Sequence, residues 1–382
     1  MLPGRGNVTR RSFLASAAAI PAAAGLAAAE APSSRVAIAR CDTYGQELHG
    51  ALARLLDQLG GAARLVRGKT VTVKINLTGS PTMRMGKTPA EKAQYTHPAV
   101  IGSLVRLFGD AGARRVQIAE GCFSSDEPLE EFLLAAGWDP APLAAAAPLV
   151  VFENTNTAGR ARGYARFTTP RGGHLFPGFD LNRAYADCDV VVSVAKLKEH
   201  ATCGVTLGMK NMFGATPLTI YGDYAGKDEP DENNARSGRV MVMHYGRRPP
   251  SRSAPQPRED GTPRDDKWRM PRIVADLAAA LPVHLTVIDG IDTMAGGEGP
   301  WISGCRPVHP GLLIAGLNPV CTDAVATACM GFDPMASRGA PPFERCDSFL
   351  ELAEQLGAGT RDLRRIEVAG LPVEKAVFRF RA

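Results

Sequence analysis

Lys196-Leu197-Lys198-Glu199-His200 sets three basic side chains at alternate positions directly after a run of valines. If the chain stays extended there, steps of two share a face, so Lys196, Lys198 and His200 point the same way. Two ammonium groups and an imidazole crowded together need a counter-charge, from a bound anion or from carboxylates of a neighbouring strand. Without full compensation the crowding depresses a lysine pKa toward the range useful for proton transfer. The chemistry that fits is acid–base catalysis by Lys196, Lys198 and His200 on an anionic small molecule. Taken alone, the five residues read equally well as a solvated, charged strand exit.

The residues that follow weigh against the solvated exit. Thr202 to Gly214 reads as a helix capped by Thr202 and stopped by Gly214. Gly204 and Gly208, four apart, bare one face of that helix for a close neighbour, at about 1 kcal/mol each. Thr206 and Lys210 share another face, and with Asn211 they add ligand-binding groups. Free amides at the helix start favour an anion. Tight packing on a sheet explains the glycines equally well, but not Lys210-Asn211. Downstream, Asp289 and Glu298, with Asp323 and the earlier Glu120, are expected either to hold a divalent cation or to balance the lysines.

Something must bring these segments together, and the periodicity supplies it. Val36 to Ala39, Val71 to Ile75, Val116 to Ala119, Asp189 to Val194, Leu285 to Asp289 and Leu312 to Ala315 read as strands. Helices are expected over Gln46–Leu59, His97–Gly109 (capped by Thr96), Leu129–Ala136, Ile273–Leu281 and Pro319–Met330. The alternation predicts an α/β fold with a mainly parallel sheet and helices on both faces, as one sheet or as two α/β lobes around one cleft. Ligands in such sheets sit beyond the carboxyl ends of the strands. Lys74, Asn76 and Glu120 fall at such ends, as do Lys196 and Asp289, and His97 follows a loop nearby. The polar, Pro- and Gly-rich stretch 221–269 reads as a long irregular insertion, either disordered or a lid. His244, inside it, shows no spacing to a partner and reads as structural or exposed, as do His49, His174, His284 and His309.

The ends of the chain bear on where it works. Arg10-Arg11 precedes a weakly apolar, Ala-rich run to Ala28, and small residues follow at a cleavage spacing, so residues 1–31 read as a twin-arginine signal peptide. The expected partner at export is the twin-arginine translocase, and the destination is periplasmic or extracellular. No later run is long and apolar enough to span a bilayer. The body is expected over 35–370, with a tail at 371–382. The formal charge of +5 falls to about +3 without residues 1–31, too weak and too evenly spread to argue for nucleic acid. The eight cysteines form no Cys-x-x-Cys pair, which argues against a self-ligated iron–sulfur cluster.

These motifs resemble a known family. Lys74-Ile75-Asn76-Leu77, Thr96-His97-Pro98, Lys196 to His200, Gly204 to Gly214, Asp289-Gly290, Glu298-Gly299-Pro300 and Asn318 to Val325 are similar, in order, to the domain of unknown function 362 family. At Cys321 that family more often has Ala. The resemblance implies a member of a family often described as iron–sulfur centre proteins, some of whose relatives carry an appended ferredoxin-type module. This sequence has no such module. Three functions follow as expectations: an exported enzyme acting on a carboxylate- or phosphate-bearing molecule, a non-catalytic ligand carrier, or a metal or iron–sulfur redox protein.

Overall fold

The valine-rich run lies near the middle of one sheet, and its neighbours explain its composition. The computed structural model describes residues 30–262 and 264–381, so the arginine pair and the apolar run after it lie outside the described residues. Eight strands make the sheet: β1 (Val36–Arg40), β2 (Thr70–Lys74), β3 (Arg115–Glu120), β4 (Val150–Asn154), β5 (Val190–Lys196), β6 (Leu285–Gly290), β7 (Leu312–Gly316) and β8 (Val368–Gly370). Their order is β8-β1-β7-β6-β5-β2-β3-β4. All neighbours pair in parallel except β7, which runs antiparallel to both β1 and β6. The fold is therefore α/β with a mainly parallel sheet, in the one-sheet arrangement.

Both faces of the sheet are covered. Val190, Val192 and Val194 pack with helices α1 (Glu47–Gln58), α2 (Pro98–Asp110) and α3 (Leu129–Ala135). Val191 and Ala195 turn the other way, toward α4 (Leu207–Asn211), α5 (Asp266–Ala280) and α6 (Pro319–Cys329). A strand buried on both faces has no use for polar alternation, which is why β5 reads as continuous valine.

Three local expectations need correction. The cap of α2 is His97, whose Nδ1 accepts from the Ala99 amide at 3.1 Å, while Thr96 donates to the Val194 carbonyl. Thr202 to Gly214 is not one helix. Gly204 and Val205 form a short strand pairing with Glu199 and His200, and Gly204 has a φ of +77°, a left-handed value that glycine alone adopts cheaply. The helix proper begins only at Leu207, and a 3-10 turn over Met212–Ala215 follows it. Finally, the 221–269 stretch carries a 3-10 turn over Glu232–Arg236 and a π-helical turn over Val240–His244. It buries Ala235, Val242 and Met243 in the protein, and its last residues already belong to α5.

Candidate functional site

The chain order reverses between β2 and β5. From β2 the sheet grows toward β3 and β4, then returns to the other side of β2 for β5 and β6. Loops leaving two such neighbours diverge, and the crevice they leave is the usual binding position in an open parallel sheet. Here it holds a cavity of about 320 Å³. Lys74, Asn76 and Glu120 reach it from the ends of β2 and β3, and Lys198 and His200 from the exit of β5. Thr206, Lys210 and Asn211 come from α4 and its approach. The cavity floor needs bare backbone: a Cβ on Gly121 would strike the Gly214 carbonyl, and one on Gly214 would crowd Lys74 and Glu120.

Four cationic side chains and two carboxylates line this space, an excess of two positive charges: Lys74, Lys198, Lys210 and Arg239 against Glu120 and Glu298. Their partners separate their roles. Lys74 is paired with Glu120 at 2.6 Å, and Glu120 also accepts the Leu77 and Gly121 amides. Lys198 gives its three protons to the Gln94 and Glu298 carbonyls and to Asn76 Oδ1. Arg239 is anchored on the Thr216 carbonyl and Asn156. Lys210 differs. It is 9% exposed and makes no ion pair or hydrogen bond among the described residues, and its Nζ sits 4.1 Å from the centre of the Phe213 ring. Burial pushes the Lys74, Lys198 and Lys210 ammonium groups below the ordinary lysine value, Lys198 most of all.

Two histidines face the same space. His200 Nδ1 accepts from the Thr202 amide at 3.2 Å, which assigns the proton of the neutral ring to Nε2. Burial lowers its pKa to about 3, so the ring is neutral at physiological pH, and Nε2–H has no partner among the described residues. His244 is lowered by burial to about 4 and packs edge-on against Phe213. Beside them, burial works to raise the Glu298 carboxyl, but His200, the Ala201 amide and the Trp301 indole outweigh it and hold it at about 2. Asn211 ties the floor together, accepting from Lys74 and Asn76 and donating to Ser193. Thr206 is turned to the Glu199 carbonyl.

Several expected site residues lie elsewhere. Lys196 is not in the cavity. It is fully buried, 2.8 Å from Asp289, with the Glu91 carbonyl and Tyr44 completing its donors. Asp289 also accepts the His97 amide, and His97 stacks on Tyr44 at 3.6 Å. These residues make a buried ionic cluster that fastens the loop before α2 to β5 and β6. His97 lines a different groove, of about 570 Å³, beside α2. Asp323 accepts the Gly208 and Met209 amides, both at 2.8 Å, and burial raises it to about 8. Glu120, Asp289, Glu298 and Asp323 thus face four different sets of donors and do not form one cation site. Among the described residues no cluster of three or more His, Cys, Asp or Glu side chains is disposed to hold a metal ion.

The sequence reading missed Arg239 and His244, which the 221–269 segment folds back into the cavity wall. It also missed Phe123, Val240 and Trp301 at the rim. The one signal available was position, since that segment directly follows the glycine- and lysine-rich stretch. Nothing in the spacing of a lone histidine or tryptophan marks it as part of a cavity.

Fold and cavity together define an α/β protein with a cation-lined crevice at the switch point of its sheet. The chain belongs to the family described as Domain of unknown function (DUF362), whose model matches residues 71–328. A thylakoid-associated protein of Synechocystis sp. is 26% identical over 301 residues, covering 78% of this chain and 75% of that protein. Two solved structures are similar at 14% identity. A protein from Thermotoga maritima has a TM-score of 0.36, covering 67% of this chain and 52% of that one. The lactate racemase apoprotein from Thermoanaerobacterium thermosaccharolyticum has a TM-score of 0.34, covering 72% and 54%. The chain spans about half the length of each solved structure, and no residue role follows from them. No helix among the described residues is long and apolar enough to cross a membrane.

Proposed function

We propose that the switch-point cavity binds a small molecule carrying two negative charges, as a dicarboxylate or a phosphate ester. The observation that carries this is Lys210, an ammonium inside the cavity with no anionic partner and no hydrogen bond among the described residues. Burying a charge without a counter-charge costs several kcal/mol, and a bound anion offsets it. The excess of two positive charges sets the valence. The His200 Nε2–H is a neutral donor for a ligand oxygen, and Lys198, whose own donors are used, adds positive potential.

The lowered pKa values give this reading a signature. A bound anion favours the charged forms of Lys74, Lys198 and Lys210, so the complex holds more protons than the free protein at the pH values where these lysines titrate. Binding therefore takes up protons there. Affinity falls as pH rises through the lowered lysine values, below the ordinary value of about 10.4. Isothermal titration calorimetry with succinate and with phenyl phosphate, in buffers of differing ionisation enthalpy, reads both effects. The expected result is binding at neutral pH that weakens before pH 10, with net proton uptake over the range in which it weakens. The absence of binding by any dianion at millimolar concentration would sink the proposal.

His200 favours chemistry beyond binding. A neutral imidazole with a free Nε2–H is a hydrogen-bond donor that can polarise a ligand oxygen without first charging itself. If the protein is an enzyme, an anion that binds is recovered chemically changed by NMR after incubation, and His200→Gln leaves it unchanged. A ligand recovered intact from the wild-type protein makes it a carrier instead.

A further inference from the structure

The floor of the cavity is charged, but its rim is not. Phe123, Val240 and Trp301 all line it, and all three are exposed, Phe123 at 47% and Trp301 at 43%. Exposed aromatic rings usually need no explanation when scattered singly. These two gather with Val240 at one opening, from three separate segments of the chain.

The Trp301 ring and the loop that carries Phe123 are both held in place. Trp301 lies on Gly79 and Gly299, where a Cβ on either would run into the indole, so the ring rests directly on backbone. Its Nε1–H donates to Glu298 Oε1 at 3.1 Å, and the other oxygen of that carboxylate takes the Ala201 amide beside His200. The loop carrying Phe123 is pinned by Asn154 at the end of β4 and by Asn156 in the turn after it. Asn156 donates to the Cys122 and Ser125 carbonyls, and Asn154 to the Ser125 and Glu127 carbonyls. Ser124, next to Phe123, has a φ of +48°, a conformation a non-glycine residue keeps only when its surroundings impose it.

Resting on the anion reading above, we infer that the ligand is an amphiphile of one kind: a dianionic head group on a planar aromatic body. The head reaches Lys210 and His200 on the floor, and the flat ring lies at the rim against Trp301 and Phe123. A fixed indole presents a wide face that a ring covers fully and a flexible chain covers poorly, and ring pairs gain from offset or edge-on contact beyond the area they bury. The Glu298 side chain joins the two halves, since it orients the Trp301 indole and the His200 segment at once.

Titration calorimetry with three phosphate monoesters tests this: methyl, hexyl and phenyl phosphate, on wild type and on Trp301→Leu. Phenyl phosphate is expected to bind about 5- to 10-fold tighter than methyl phosphate, and tighter than hexyl phosphate. Trp301→Leu is expected to remove that preference, so that methyl and phenyl phosphate bind the variant alike. Equal affinities for methyl and phenyl phosphate, a hexyl ester that matches the phenyl ester, or a preference that survives Trp301→Leu would each overturn the inference while leaving the anion site standing. No binding by any of the three would overturn both. Trp301 fluorescence gives a second readout, because Trp138 is buried and the chain has three tryptophans, Trp138, Trp268 and Trp301. A spectral shift on phenyl phosphate binding is expected in wild type and is absent in Trp301→Leu.

Discussion

Lys210→Met is expected to lose dianion binding and to gain stability in the same experiment. The two effects share one cause. In the free protein the Lys210 ammonium faces the cavity over the Phe213 ring with no carboxylate and no hydrogen-bond acceptor among the described residues, and burial pushes its pKa down. Replacing it with an unbranched apolar side chain of similar length removes a charge that only the ring faces and keeps an apolar contact with the ring. A gain of at least about 1 kcal/mol is expected by urea denaturation. In the complex the same charge is opposite the ligand, where truncating one partner of a buried, hydrogen-bonded charge pair costs about 2–5 kcal/mol. That is a loss of about thirtyfold or more in affinity. A Lys210→Met protein that binds dianions normally, or that is less stable than wild type, would show that Lys210 serves the fold instead.

The opposite result is expected at the neighbouring lysine. Asp289→Asn is expected to destabilise the protein by about 3–5 kcal/mol, because it strands the fully buried Lys196 ammonium without its counter-charge. Asp289 also accepts the His97 amide and the Tyr44 hydroxyl, so the loss extends to the start of α2. Adding Lys196→Met to Asp289→Asn is expected to recover part of the loss, since the charge that needed compensation is then gone. A shift of the urea midpoint equivalent to less than about 1 kcal/mol for Asp289→Asn would contradict the structural role assigned here.

The contrast between these two lysines marks how far the sequence could be read. Lys196 and Lys198 sit two residues apart, where alternation predicts one face, yet Lys198 lines the cavity and Lys196 does not. Alternation does not say which of them meets a carboxylate. That depends on β6 lying beside β5, with Asp289 in register with Lys196. Except for β4 and β8, which the expected strands did not include, the strands themselves were legible because β5 is apolar on both faces and because β2, β3 and β6 each end in polar residues at the same edge. The antiparallel course of β7 was not, since its five residues are as uniformly buried as those of a parallel strand.

Glycine spacing misled in one place for a physical reason. Gly204 and Gly208 are four apart, as on a helix face, yet they serve different purposes. Gly204 supplies a left-handed residue at the start of the second of two short strands. Gly208 lies inside α4, where a Cβ would collide with Thr286 of β6. A bare position has the same signature in sequence for either use. Arg239 and His244 were illegible for another reason. They belong to a polar segment with no period of its own, and only the packing of Val242 and Met243 into the core folds it against the cavity.

A crystal structure with phenyl phosphate soaked into the wild-type protein tests the central claim most directly. The account predicts phosphoryl oxygens within hydrogen-bond distance of Lys210 Nζ and His200 Nε2, with no displacement of the Lys74–Glu120 pair. A cavity that stays free of the ester at millimolar concentration, or an ester bound away from Lys210, would contradict it.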